Sequence, residues 1–289
     1  MASPLTSEWT GRDVTVAAIE RELARLRQDA VGEASPGMRT SVMTHVAWAP
    51  TEWLDAAEAT LAGMAERHPS RTLILVPQPD DPDGLDADVS IRCFPAGESH
   101  ICSEVIELRL RGNRVDAPAS LVLPLAISDL PVFCRWRGEP PFGSPPWEQL
   151  AGVADRIVVD SSEWEELAYG DLARVFDRAA VSDIAWARTY DWRVELAKLW
   201  PAIREQEIRV RGPRAEATLV RAWLNARLDR AIRPVEPASE LGVRLGGEDL
   251  RPPRGVPPTA SDLLSAELDR FARDRTYEEA VEAAASVLA

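Results

Sequence analysis

The stretch HICSEVIELRLRGNRVDAPASLVLPLAISDLPVFCRWRG, His100–Gly138, decides the fold. It opens on strict alternation. Ile101, Ser103, Val105, Glu107 and Arg109 face one way, and Cys102, Glu104, Ile106, Leu108 and Leu110 the other, the period-two pattern of a half-buried strand. A polar turn follows at Gly112–Asn113. Next come an almost uncharged segment, Leu121–Ile127, a break at Ser128–Asp129, and a compact strand, Pro131–Trp136. An apolar run bounded by turn residues suits the middle of a sheet covered on both faces. The stretch therefore predicts the centre of an α/β scaffold, with function to be sought on its surface.

Working outward towards the N-terminus, residues 13–30 place Val16, Ile19, Leu23 and Leu26 at helical spacing, with Asp13 as a candidate cap and a loop beyond (residues 31–38). Arg39–Ala49 alternates like a strand, Thr51–Arg67 carries Leu54, Ala57, Leu61 and Met64 on one stripe, and Arg71–Pro77 reads as a buried strand. Strand, helix and strand at this spacing make a βαβ unit with a parallel pair. The acidic stretch 78–88 lacks the glycine and glutamate positions of a calcium loop and reads as a solvated loop before a strand at Val89–Phe94.

Towards the C-terminus, Pro145 and Pro146 start a short helix, Arg156–Asp160 is a short buried strand, and Ser161–Ser162 are candidate caps for the segment 163–169. Helical segments are expected at 171–179, 182–189, 191–200 and 214–229, a strand at 207–210, a hairpin around GVRLGG (242–247), and one or two helices from Ser261, with Leu264, Leu268 and Phe271 on one stripe. The expected fold is α/β. An N-terminal domain, residues 1–168, has a mixed, largely parallel sheet flanked by helices, and a smaller helix-rich α+β domain covers residues 169–289.

With 289 residues and a net charge of −14, the chain can bury a sizeable core and repels nucleic acid and anionic membranes. It lacks the ~20-residue apolar run of a membrane span, and its start has no signal-peptide pattern, so a cytoplasmic location is expected, with neither nucleic acid nor membrane as partner. Cys93, Cys102 and Cys134 show no metal spacing with His45, His68 and His100. A Cys93–His100–Cys102 metal site is the sharp reading and satisfied core thiols the bland one. No dinucleotide, P-loop, zincin or hydrolase motif is present, so neither a cofactor nor catalytic residues are expected.

Two clusters stand out. Arg135-Trp136-Arg137 ends the central stretch, where core meets surface. In SDIAWARTYDWR (182–193), Asp183, Trp186 and Tyr190 share a helical stripe, followed by Arg188, Trp192 and Arg193. The second cluster is either a buried polar lock between domains or an aromatic–arginine contact surface.

The order RTSVMTHVAWA, AERHPSRTLILV, ICSEVIELRLRG, SLVLPLAISDLPVFCRWRGEPPF, ADRIVVDSSEW and SDIAWARTYDWR resembles the glucose-6-phosphate dehydrogenase assembly protein family, OpcA. The resemblance implies a non-enzymatic protein that binds glucose-6-phosphate dehydrogenase and promotes its active oligomer in the oxidative pentose phosphate pathway. It makes Arg135, Trp136, Arg137, Asp183, Trp186, Arg188, Trp192 and Arg193 the candidate partner-binding residues. The chain departs from that family at Cys134–Arg137, and it has no cysteine beyond Cys134 to supply a C-terminal redox pair. The competing reading is an enzyme or binder of sugar phosphates or nucleotides, with a site at the strand ends near Asp160–Ser162 reached by Arg135 or Arg137.

Overall fold

The computed structural model describes residues 5–33, 41–64, 67–68, 70–96, 99–253 and 255–288. They form two compact units, residues 1–157 and 158–289. No helix among the described residues is long and apolar enough to cross a membrane.

In the first unit the elements run β1 (Leu5–Gly11), α1 (Val16–Glu33), β2 (Thr44–Trp48), α2 (Thr51–Ala62), β3 (Arg71–Gln78), β4 (Gly84–Ala96), β5 (Ser99–Arg111), α3 (Ala119–Leu125), β6 (Val132–Trp136) and α4 (Pro145–Val153), ending in β7 (Arg156–Val159). The strands lie in the order β1-β4-β5-β3-β2-β6. The pairs β5–β3, β3–β2 and β2–β6 are parallel, whereas β1–β4 and β4–β5 are antiparallel. The βαβ expectation holds in β2-α2-β3, as does the alternating strand at 101–110.

The apolar segment at Leu121–Ile127 is a correction. It forms a helix, α3, that buries Leu121, Val122 and Leu125 and exposes Leu123. Pro124 lies inside it, and a residue without an N–H is excluded from the middle of a sheet ladder. Three further corrections concern caps and loops. The N–H of Ala18 is accepted by Thr15 Oγ1 at 3.3 Å, whereas the Asp13 carboxylate pairs with Arg111. Helix α1 runs on to Glu33, so part of the loop expected at 31–38 is helical. The acidic loop is shorter than expected. Asp86 and Asp88 sit in β4 and pair with Arg12 at 3.1 Å and Arg109 at 2.6 Å. The rest of that loop (residues 34–38) and the start of the strand expected at 39–49 lie outside the described residues.

One sheet face is apolar, with Leu73, Leu75, Ile106, Leu108 and Leu110 buried. Trp48 and Trp136 sit opposite each other in the β2–β6 register and stack at 4.8 Å, and Trp147 from α4 meets Trp136 edge-on at 5.1 Å. Cys102 is disulfide-bonded, which corrects the reading of core thiols. The register sets Cys93 opposite it, and Cys134 is free and buried. The side chains of Cys93 and His100 lie outside the described residues.

A buried carboxylate fastens α1 to this sheet. Glu104 on β5 accepts from Arg27 of α1 at 2.9 Å and from Arg71 of β3 at 2.7 Å, and Arg71 also donates to the Leu125 carbonyl at 2.6 Å. Burial disfavours the charge, but the two guanidinium groups hold the Glu104 carboxyl below the ordinary glutamate value of 4.5.

In the second unit β7 is followed by α5 (Tyr169–Ala173), β8 (Ala180–Asp183), α6 (Ile184–Arg188), α7 (Tyr190–Lys198), β9 (Ile208–Gly212), α8 (Arg214–Leu228), β10 (Glu236–Pro237), β11 (Gly242–Leu245), β12 (Glu248–Asp249), α9 (Ala260–Leu268) and α10 (Arg275–Leu288). β8 neighbours β7, and a small sheet has the order β10-β9-β11-β12. The hairpin read from GVRLGG is present: Leu245 pairs with Glu248 across Gly246 and Gly247, both at positive φ, as a two-residue turn requires. Helix α8 buries Ala217, Val220, Leu224 and Leu228 against Ile208, Val210, Val243 and Trp192. Three expectations fail here. The helix expected at 171–179 ends at Ala173, the one expected at 182–189 starts only at Ile184 because Ser182 and Asp183 belong to strand β8, and α9 is capped by Thr259 in a box with Asp262 rather than by Ser261.

A depressed carboxyl stabilises the fold above its unfolded-state value and loses that contribution as pH falls through the folded one. Glu104→Gln is therefore expected to lose about 2–3 kcal/mol at neutral pH by leaving two arginines without their carboxylate. The gap to wild type should narrow below about pH 4. Denaturant titrations at both pH values check this, and a gap that stays constant would show that charge is not the cause.

Candidate functional site

Every residue of the 182–193 cluster lies in the second unit, and its centre is Asp183. As the last residue of β8 and the cap of α6, Asp183 puts its carboxylate where strand gives way to helix. Its Oδ1 accepts the N–H groups of Ser161 at 3.0 Å and Ala185 at 2.9 Å, and its Oδ2 accepts the hydroxyls of Ser161 at 2.7 Å and Tyr277 at 3.3 Å. Tyr169 donates to Ser161 Oγ at 3.0 Å. One buried carboxyl thus ties the exit of β7 to α5, α6 and α10. Burial pushes it up to about 7, with nearby Asp160 adding to the rise and the bonds from Ser161 and Ala185 opposing it.

A second layer surrounds this node. Arg188, at the end of α6, makes a two-pronged pair with Asp160 at 3.1 and 2.5 Å, reaches Glu216 in the first turn of α8 at 3.1 Å, and donates to Ser162 Oγ at 3.0 Å. Trp186 is buried and donates its indole N–H to Asp274 at 3.1 Å. Arg193 stacks on the Trp186 ring at 3.7 Å and donates to Thr189 Oγ1 at 3.0 Å. Burial brings the Arg193 guanidinium down to about 10, which leaves it charged at neutral pH. Trp192 lies in the core beneath α8. The cluster is a polar lock inside the second unit.

The strand end at Asp160–Ser162 is closed to anions. Asp183 occupies the Ser161 N–H and Asp160 that of Ser162 at 3.2 Å, so neither amide that would cradle a phosphate is available. The capping expected of Ser161 and Ser162 is done by Asp160. Two carboxylates, Asp160 and Glu216, face the single guanidinium of Arg188.

In the first unit, Trp136 belongs to the tryptophan stack and Arg135 is buried, donating to the Trp136 carbonyl. Arg137 lies just past β6, half-buried over the Trp53 ring at 4.9 Å. Gly138 follows at φ 75°, with the Trp53 indole nitrogen 3.0 Å from where a Cβ would stand, so only glycine suits this turn. The aromatic residues open to solvent are others. In the second unit Tyr190 is 54 % exposed, Trp200 55 % and Phe271 72 %. The sequence marked Tyr190 as part of a stripe and Phe271 as part of a buried helix face. Phe271 instead falls beyond α9, and Trp200 just beyond α7. Arg204 packs over the Trp200 ring at 5.4 Å.

Comparison with known proteins adds two findings. Residues 62–175 match a family model described as the N-terminal domain of a glucose-6-phosphate dehydrogenase subunit. Three cyanobacterial proteins, each with the provisional name OxPP cycle protein OpcA, are similar in sequence. The protein of Nostoc punctiforme is 28 % identical over 197 residues, 62 % of this chain and 42 % of the relative. That of a Synechocystis species is 27 % identical over 182 residues, 57 % of this chain and 38 % of the relative. The Synechococcus elongatus protein is 26 % identical over 183 residues, 57 % of this chain and 41 % of the relative. The chain thus spans about two fifths of the length of these relatives.

A raised carboxyl has the opposite linkage to Glu104. Folding takes up a proton between the ordinary aspartate value of 3.8 and about 7, so the contribution of Asp183 is full below that window and is lost as pH rises through it. The melting-temperature advantage of wild type over Asp183→Asn is expected to shrink between about pH 4 and pH 7. Scanning calorimetry reads the difference directly, and an advantage independent of pH would mean that Asp183 is ionised throughout.

Proposed function

We propose that this chain, a member of the glucose-6-phosphate dehydrogenase assembly protein (OpcA) family, binds glucose-6-phosphate dehydrogenase and promotes its active oligomer in the oxidative pentose phosphate pathway, without catalysing a reaction itself. The observation that carries this reading is the match of residues 62–175 to a domain described as part of a glucose-6-phosphate dehydrogenase subunit. The name of the three relatives, which assigns them to the OxPP cycle, agrees with it. The geometry supports the non-enzymatic part: the strand end that a sugar phosphate would use has its amides occupied by carboxylates.

An activator shifts an enzyme between states only by binding one of them more tightly. A preference of about 1.4 kcal/mol moves that equilibrium tenfold. Contacts of this size come from a few aromatic and arginine side chains that desolvate on binding. In the second unit the exposed Tyr190 and Trp200, each beside an arginine, fit that description better than the buried Trp186 and Trp192. Arg137 retains enough exposure to take part.

Mixed with the dehydrogenase, the chain is expected to co-elute with it and raise its activity. Trp200→Ala and Tyr190→Ala should weaken the complex at least tenfold with unchanged melting temperature. Trp186→Ala should instead destabilise the fold by about 3–5 kcal/mol. A chain that leaves the elution and activity of the dehydrogenase unchanged would overturn the proposal. A thermal shift with glucose 6-phosphate, 6-phosphogluconate or a nucleotide would favour the enzymatic alternative.

A further inference from the structure

The two faces of the sheet in the first unit differ. One is apolar. The other is covered by α2 only in part, through a small cluster in which Leu54, Ala57 and Leu61 meet Ile74, Val76 and Val105. Beside this cluster is a cavity of about 750 Å³. Its floor is built from register rows of the sheet. His45, Thr72, Val105, Ser90 and Glu8 stand side by side across five strands, and Ile74, Glu107, Asp88 and Thr10 form the next row. Ser70 and Ser103 add two more buried hydroxyls, Ser70 Oγ lying 3.1 Å from Thr72 Oγ1.

Three observations point to a ligand. First, His45 is 1 % exposed, lines the cavity, and its Nε2 makes no hydrogen bond. Burial, followed by Arg135 and His68, holds the ring down to about 4, so at neutral pH it is an uncharged imidazole with one nitrogen unused. Buried polar atoms are almost always paired, and an unpaired one on a cavity wall marks where a polar group fits. Second, the lining is rich in carboxylates: Asp55 and Glu58 from α2, Glu107 from β5, Asp88 from β4 and Glu8 from β1, with Arg92 as the arginine among the lining residues. Third, the Glu107 carboxyl is raised by burial first and then by Asp88 and Glu58, even though Arg109 and Arg12 act the other way. Arg109 pairs with Glu107 Oε1 at 2.5 Å but is shared with Asp88 at 2.6 Å, so one guanidinium serves two carboxylates on this wall.

We propose that this cavity binds a small organic cation, an amine or guanidine that also carries hydroxyl or further amine groups. Glu107, Glu58 and Asp55 hold the positive charge, and His45 Nε2 with the hydroxyls of Ser70, Thr72 and Ser103 takes the polar remainder. Phosphorylated sugars and nucleotides are disfavoured, because five carboxylates against one arginine line the cavity. The site is independent of the aromatic residues proposed for the dehydrogenase, which lie in the second unit.

The test is calorimetric titration of the full chain with spermidine, arginine and glucosamine, using glucose and glucose 6-phosphate as neutral and anionic controls. Saturable binding of at least one cation is expected, weakened at least tenfold in Glu107→Gln and in His45→Gln. Glu205→Gln, at an exposed position elsewhere, should bind as wild type does. In wild type the bound cation should also move the His45 ring resonances, a readout that does not require the variants to fold. The proposal is overturned by the absence of saturable binding of any of the three cations. It is equally overturned by binding that leaves the His45 resonances unmoved or survives both cavity substitutions, or by a preference for glucose or glucose 6-phosphate.

Discussion

The second unit depends on a single buried carboxyl. Asp183 receives two backbone N–H groups and two hydroxyls, drawn from the turn after β7, from α6 and from α10. Tyr277 lies 94 residues from Asp183 in sequence, so distant segments meet at one pair of oxygens. Removing the carboxyl would leave buried amides and hydroxyls without acceptors, which costs more than the bonds themselves contribute. The surrounding pairs, Arg188 with Asp160 and Glu216, and Trp186 with Asp274, are positioned because this node fixes the start of α6.

The first unit solves the same problem with apolar surface. The Trp48–Trp136–Trp147 stack and the leucine-rich sheet face supply its core, and Glu104 with its two arginines is the polar fastening on that side. The other face is polar in its second register row and is not filled by α2. A packed sheet face rarely leaves a buried imidazole nitrogen such as His45 Nε2 beside open volume with no polar group to meet it.

Much of this was legible in the sequence wherever periodicity was unambiguous. The alternation at 101–110 gave β5 and even its two faces, with Ser103 and Glu107 on the polar side. The pattern of β2-α2-β3 gave a parallel pair, and Ala217, Val220, Leu224 and Leu228 gave α8. Short apolar runs misled. Leu121–Leu125 is as apolar as a central strand, and Pro124 was the one local sign against it. Ser182 and Asp183 read as the start of a helix because the alternation of a four-residue strand, Ala180–Asp183, is too brief to register. β1 was missed, since LTSEWTG pairs at the edge of the sheet with little apolar signal of its own. At the site, the clustering of Asp183 with Trp186 and Arg188 was readable, but the burial of Trp186 and the exposure of Trp200 were not, because both depend on where distant segments pack.

That last difference bears on how a contact surface is recognised. Residue type alone selected the tryptophans and arginines of 182–193, yet most of their bonding capacity is used within the unit. Arg188 already faces two carboxylates, and Arg193 already covers an indole. Withdrawing such groups to meet a partner would break buried pairs, and a new ion pair would barely recover that loss. Exposed aromatic side chains gain by burial without breaking a buried pair. For the contact proposed above, Tyr190 and Trp200 are therefore better candidates than the buried tryptophans and paired arginines of 182–193.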